Sequence, residues 1–363
     1  MVANLQSQLN PEDEGAVQRS EQDAIALLAQ GDGSGKSAII RVRNFMAMYP
    51  TIVSVVILLL SVVAFGLITG SRFFTPFNFS LIVQQVTVIS VLGAAQTLVI
   101  LTAGIDLSVG AIMVLCSVVM GVTAVDNGIP QGVAIALALV AGAICGLING
   151  FLVTSLKLPP FIATLGSWNV FFGLNLWYSG SMTIMSQDIS KVAPALQFFG
   201  QAVYVGPVHL TVGTFLMFAL FGALWYALNE TAWGRHVHAI GDDPEAARLA
   251  GIGVEGMLLS VYFVAGVICA LGGWVLIGRI GSVTPQEGLT SNLDSITAVV
   301  VGGTSLFGGR GSLLGTLVGA LIVGVYRNGL ALAGVDPLWQ TVAVGLLIIL
   351  AVTIDQWIRK ITA

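Results

Sequence analysis

Residues 96–110 read QTLVILTAGIDLSVG and set one carboxylate, Asp106, between two charge-free apolar runs. A charge in such surroundings costs several kcal/mol unless it is paired or caps something. Gly104 can break a helix, and Asp106 can N-cap the next one at Ser108–Val109. The carboxylate then either holds a helix break or lines a path for a polar solute, with Gln96, Gly104 and Ser108 beside it. Asp294 is a second carboxylate among apolar residues. A third group, Trp168, Asn169, Phe171, Phe172, Asn175 and Trp177, crowds one apolar run. Rings of this kind stack on sugar faces while amides bond hydroxyls, which suits a polyol path. The plainer reading is helix packing with the amides bonded between helices.

A different chemistry belongs to residues 234–254. Seven of the 32 charges fall between Glu230 and Glu255, and the stretch GDDPEAARLAG reads as a short helix. Asp242 or Asp243 supplies the N-cap, and Pro244 is tolerated at the first position. Ala246, Ala247 and Leu249 are good helix formers, and Gly251 stops the helix after Ala250. Asp242 with Glu245 has the spacing of a capping box. A helix so well specified between two apolar runs implies that something docks on it, with Glu245 and Arg248 as its charged contacts. The stretch Gly31–Ser37 resembles a phosphate-binding loop, but the required glycine at position 30 is Gln30 and no apolar strand precedes it. No H-E-x-x-H, paired-cysteine or G-x-S-x-G arrangement occurs, so the sequence offers no catalytic residue, metal site or cofactor on this chain. Cys116, Cys145 and Cys269 lie inside apolar runs and read as buried small hydrophobes; His209, His236 and His238 read as solvated interface residues.

These residues need elements to position them, and the composition says which kind. Only 9% of the 363 residues are charged, 56% are hydrophobic, and Gly occurs 44 times; mean hydropathy is +0.93. A soluble domain carries roughly 25% charge, so this is an all-α polytopic membrane protein. Ten spans are expected, at about 48–70, 79–101, 107–125, 132–154, 159–179, 211–228, 257–277, 294–308, 312–332 and 338–357, the second, third and eighth interrupted near Asp106 and Asp294. With the N-terminus in the cytoplasm, ten Lys/Arg face in and four face out. An even span number puts the C-terminus inside as well. Residues 1–44 hold ten charges and read as an acidic, partly disordered cytoplasmic arm without a cleaved signal peptide, ahead of a transmembrane domain over 45–363 with its main loop at 229–256. A net charge of −4 gives no sign of nucleic-acid binding. Two glycine stripes, Gly142-x3-Gly146-x3-Gly150 and Gly311-x3-Gly315-x3-Gly319, are each followed by an Asn-Gly pair or an Asn within the stripe and then a proline helix start. Asp106 and Asp294 keep the same order relative to them. The offset of five spans implies half-repeats inverted in the membrane; packing alone accounts for the glycines.

Three blocks carry a resemblance: 102–110 (TAGIDLSVG), 241–251 (GDDPEAARLAG) and 297–312 (TAVVVGGTSLFGGRGS). Together they resemble the ATP-binding-cassette sugar permeases that move ribose, xylose, galactose and fructose, and the likeness covers about 45–360. The resemblance implies that 242–250 is a coupling helix for a cytoplasmic ATPase. It also implies a second permease copy, most simply a homodimer, and a periplasmic sugar-binding protein that docks on 180–210 and 279–293. ATP and magnesium are then held by the ATPase, and the location is the bacterial inner membrane. The ending Asp355–Lys360, with Leu158–Ile162 and the double-Asp loop, looks most like fructose permeases. The rival class is an ion-gradient transporter with Asp106 as its proton or sodium site.

Overall fold

The computed structural model describes residues 50–288 and 290–362, together with their side chains except at 50, 347, 348, 351, 352 and 354–362. The acidic arm, its Gly31–Ser37 stretch and the side chains of the Asp355–Lys360 ending lie outside that set. Thirteen α-helices carry the described chain. They are α1 (Pro50–Thr69), α2 (Pro76–Leu101), α3 (Val109–Gly121, extended by a π turn over Val122–Asp126), α4 (Gln131–Thr154), α5 (Pro160–Ser179), α6 (Ser186–Val192), α7 (Val212–Glu230), α8 (Ala232–Asp242), α9 (Pro244–Leu249), α10 (Val254–Ile280), α11 (Ser291–Val301), α12 (Leu313–Leu332) and α13 (Pro337–Thr362). Seven of them (α1, α2, α3 with its π turn, α4, α7, α10 and α12) are long and apolar enough to cross a membrane.

All ten expected spans have a helix, yet α5, α11 and α13 fall outside that set of seven. The expected span at 294–308 is the clearest departure. It ends at Val301, because Gly302 and Gly303 turn the chain and Gly303 takes φ 89°. Its 11 residues rise about 17 Å, little more than half a hydrocarbon core of about 30 Å. Nor is α2 interrupted: it runs 26 residues to Leu101, and the break follows it.

α2 is the axis of the bundle. Most of its length is buried, including Ser80, Thr87, Ser90, Gln96 and Thr97, whereas α1 exposes Leu59, Leu60, Val63, Leu67 and Ile68 on its outer face. α2 packs on α10, α11 and α12, and α10 packs on α2, α3 and α4; α3 also packs on α4, and α11 on α12. Exchanging α2 with α10, α3 with α11 and α4 with α12 maps this set of contacts onto itself. That is the pattern the two half-repeats require. Both glycine stripes sit at the crossings. A Cβ on Gly146 of α4 would run into the carbonyl of Tyr262 in α10, and one on Gly319 of α12 into the carbonyl of Ala298 in α11. Small residues let backbones approach where no hydrophobic force joins helices.

The all-α expectation has one small exception. β1 (Ala202–Val205) and β2 (Val208–Thr211) form an antiparallel hairpin, with Ala202 opposite Thr211. Its His209 N–H donates to Ser80 Oγ at the start of α2 (2.8 Å). Gln197 Nε2 donates to the Gly281 carbonyl (2.7 Å), and Ile184 pairs with Val283. Residues 181–211 and 281–288 thereby form one layer at the end of the bundle where α2 begins.

Candidate functional site

The first break is built by local backbone geometry. Ala103 takes φ 60°, its N–H donates to the Ile100 carbonyl (2.9 Å), and the Gly104 N–H donates to the Val99 carbonyl (3.1 Å). The left-handed residue that ends α2 is therefore Ala103, not Gly104. Gly104 is needed for space, since a Cβ there would sit 3.1 Å from the Tyr262 hydroxyl. Asp106 is 1% exposed. Its Oδ1 accepts from the Ser108 N–H (2.7 Å) and the Ser108 hydroxyl (2.6 Å), and Asn149 Nδ2 lies 3.5 Å from Oδ2. Asn149 Nδ2 also donates to Ser108 Oγ (2.7 Å). Helix α3 starts at Val109 with Ser108 at the cap position, and the Ser108 side chain makes no cap bond. Asp106 therefore anchors the start of α3 from two residues outside the N-cap position expected of it. Thr164 of α5 and Asn292 of α11 secure the same loop through Ile105, Leu107 and their carbonyls.

The second carboxylate is held differently. Asp294 lies in the first turn of α11 and accepts from Arg327 Nη2 of α12 (2.6 Å), with side-chain exposures of 8% and 24%. Next to Arg327, Asn328 Nδ2 donates to Asn78 Oδ1 (2.8 Å). Each half thus ties its carboxylate to its glycine-striped helix, through a neutral amide at Asn149 and through a cation at Arg327. Arg327 carried no sequence signal beyond an unusual charge in an apolar run.

The other expected path residues do not gather into one lining. Gln96 is fully buried, and neither amide atom has a hydrogen-bond partner among the described residues. Asn169 is exposed and donates to the Leu165 carbonyl of its own helix (3.0 Å). Asn175 is buried and donates to the Pro285 carbonyl (2.6 Å). Six residues apart, the two amides lie about 120° apart around α5. Trp168 and Phe172 stack on each other at 5.8 Å.

The 229–256 loop holds two helices where the sequence suggested one. α8 is capped by Thr231, whose Oγ1 accepts from the Gly234 N–H (3.4 Å). It buries Gly234, Val237, Ile240 and Gly241 on one face. Asp243 then caps α9, accepting from the N–H groups of Glu245 (2.9 Å) and Ala246 (3.0 Å). Asp242 is the last residue of α8, so the Asp242–Glu245 capping box does not form. Instead Glu245 accepts from Arg248 Nη1 (2.9 Å), whose Nη2 donates to Glu255 in the first turn of α10 (2.6 Å). Glu255, and then Glu245, hold the Arg248 proton above its ordinary affinity. Pro244 opens α9, Ala247 packs inward with Ile240 and Val254, and Gly251 follows Ala250 with φ 84°. Leu249 is 90% exposed, an apolar residue on an otherwise charged surface.

The three sequence blocks meet here. Gly309 N–H donates to the Leu101 carbonyl (3.0 Å), and its carbonyl lies 3.1 Å from His238 Nδ1. A carbonyl only accepts, so His238 carries its hydrogen on Nδ1. Gly241 is pressed against the Leu101 carbonyl and Gly309 N, and Gly308, at φ 85°, against Ala103 and the Gly241 carbonyl. The end of α2, the end of α8 and the loop 302–312 thus touch backbone to backbone. The sequence suggests a solvated His238; in the structure it is half-buried in this junction. Among the described residues no group of His, Cys, Asp and Glu is arranged to hold a metal.

A polytopic bundle with half-repeats, a broken segment at depth and a capped helix pair at one end defines a membrane transport permease. Residues 78–352 match the family described as branched-chain amino acid transport system / permease component, and the chain belongs to that family. It is 54% identical over 341 residues to the fructose import permease protein of Rhizobium meliloti, covering 94% of this chain and 95% of the relative. It is 40% identical over 289 residues to the ribose import permease protein of Bacillus subtilis strain 168, covering 80% and 88%. To the galactose/methyl galactoside import permease protein of Escherichia coli K12 it is 34% identical over 312 residues, covering 83% and 92%. No solved structure matches the chain.

Proposed function

We propose that this chain is the membrane-spanning subunit of an ATP-binding-cassette importer for a monosaccharide, fructose being the first candidate. The observation that carries the reading is the junction of the three motifs at α8–α9, with Leu249 and the Glu245–Arg248 pair exposed beside it. The sugar class rests on the relatives, which are import permeases for fructose, ribose and galactose. Residues 242–250 dock on a separate cytoplasmic ATPase that holds ATP and magnesium and does the hydrolysis. Two copies of the chain pair around the sugar path, which Asp106 borders at the α2–α3 break, Asp294 at the start of α11 and Gln96 from within α2. A sugar-binding protein docks on the layer built by 181–211 and 281–288, where Met182, Met185, Tyr204 and Val205 are exposed. Both termini face the cytoplasm, in a bacterial inner membrane.

The test is sugar uptake by proteoliposomes holding this chain with and without the ATPase subunit, ATP and the binding protein. Uptake is expected only with all of them. Asp106, buried with no cation beside it among the described residues, favours an ion-gradient carrier instead. Gradient-driven sugar uptake by this chain alone, abolished by Asp106→Asn, would establish that reading and overturn ours.

A further inference from the structure

We propose that the loop 302–312 is a second coupling element: with His238 it clasps the end of α2 to the end of α8, so that a displacement of α9 reaches the α2–α3 break directly. This rests on the reading of α9 as the ATPase docking helix. The clasp is made of backbone. Gly309 donates to the carbonyl of Leu101 and accepts from His238, while Gly241 and Gly308 admit no Cβ between the strands of chain that meet there. Ser305 N–H closes the loop on the Arg310 carbonyl (2.9 Å), so the loop holds its own shape. Close-packed backbone has little compliance and passes on a displacement that flexible side chains would absorb.

The far side of the clasp is equally tied. From Leu101 the chain runs through Ala103 into the Asp106–Ser108–Asn149 cluster and so into the starts of α3 and the body of α4. The direct connection from α9 to α10, through Arg248 and Glu255, serves the other half-repeat. A push at α9 is thereby shared between both halves, which a movement that opens a path between them requires. In this scheme His238 is a positioning residue. Its Nδ1 bonds the loop from α8, and it acts through the Gly309 carbonyl.

The test measures three quantities on the reconstituted complex: retention of the ATPase subunit, ATP hydrolysed, and sugar taken up per ATP. Asparagine places an N–H donor where Nδ1 stands, whereas glutamine places it at the Nε2 position. His238→Asn is expected to keep the uptake-to-ATP ratio. His238→Gln and His238→Ala are expected to retain the ATPase subunit and hydrolyse ATP, while uptake per ATP falls about fivefold, the factor one net hydrogen bond carries. If glutamine and asparagine behave alike, or if uptake and hydrolysis fall in step in all variants, the clasp does not couple. Should His238→Ala fail to fold, the asparagine–glutamine comparison still decides. Leu249→Asp separates this from the underlying reading: it is expected to release the ATPase subunit. Full retention there would overturn the docking role of α9 whatever the His238 variants do.

Discussion

Asp106 and Asp294 occupy corresponding places in the two half-repeats, but neutralising them should have opposite costs. Asp106→Asn keeps an oxygen for the Ser108 N–H and hydroxyl, now 2.7 and 2.6 Å from Oδ1. The new amide then faces Asn149, whose Oδ1 has no partner among the described residues and can turn to accept from it. Removing a buried charge that has no cation beside it among the described residues offsets much of what is lost, and the net cost is about 1 kcal/mol or less. Asp294→Asn instead strands the Arg327 guanidinium, now paired at 2.6 Å. Breaking a buried pair by removing one partner costs about 3–5 kcal/mol, and the partial exposure of Arg327 argues for about 3. The difference, about 2 kcal/mol, is roughly a 30-fold change in the folding equilibrium. Thermal and denaturant unfolding of the purified protein, followed through its seven tryptophans, should rank Asp294→Asn well below Asp106→Asn. Adding Arg327→Gln to Asp294→Asn should recover part of the loss. Equal destabilisation by the two asparagine variants, or no recovery in the double variant, would refute the reasoning.

Gly146→Ala drives a methyl into the Tyr262 carbonyl across the α4–α10 crossing. It should cost about 1–3 kcal/mol and lower the yield of folded protein from membranes, where an exposed Gly132→Ala should not. Asp243→Ala removes the cap of a six-residue helix, worth about 1 kcal/mol. It should weaken retention of the ATPase subunit in pull-downs more than Asp242→Ala does, and Asp243→Asn should keep most of it. Glu245→Ala with Arg248→Ala opens the ties from α9 to itself and to α10. ATPase binding should weaken while membrane insertion, read by protease protection of loops, stays normal; unchanged ATP-driven uptake would show that α9 is not the coupling element.

The spans were legible because apolar runs of about 20 residues leave few alternatives in a bilayer. The glycine stripes at 142–150 and 311–319 were legible as close crossings for the same reason. What escaped was whatever depends on residues far apart in the chain. The junction of Leu101, Gly241 and Gly309 is backbone contact, which leaves no mark in side-chain pattern beyond the glycines themselves. α8 had a readable face in Gly234, Val237 and Gly241, but its apolar residues are few and two histidines disguised it. The shortening of α11 was signalled by Gly302–Gly303 and was overruled by the apolar residues beyond them. In the sequence Asn149 is only a marker of the repeat, because nothing local says that it meets Ser108, 41 residues earlier.

The near-complete burial of α2 bears on how the chain is made. Part of its polar face meets partners that arrive late; Thr97, for instance, bonds Thr316, 219 residues further on (2.7 Å). At about 5–20 residues per second that interval is roughly 10–40 s of synthesis. Until α10, α11 and α12 emerge from the ribosome, α2 lacks most of the helices that pack on it. A nascent chain stalled after α5 therefore exposes serine, threonine and glutamine side chains to hydrocarbon, and the insertion machinery must shelter that helix or surrender the fragment to membrane proteases.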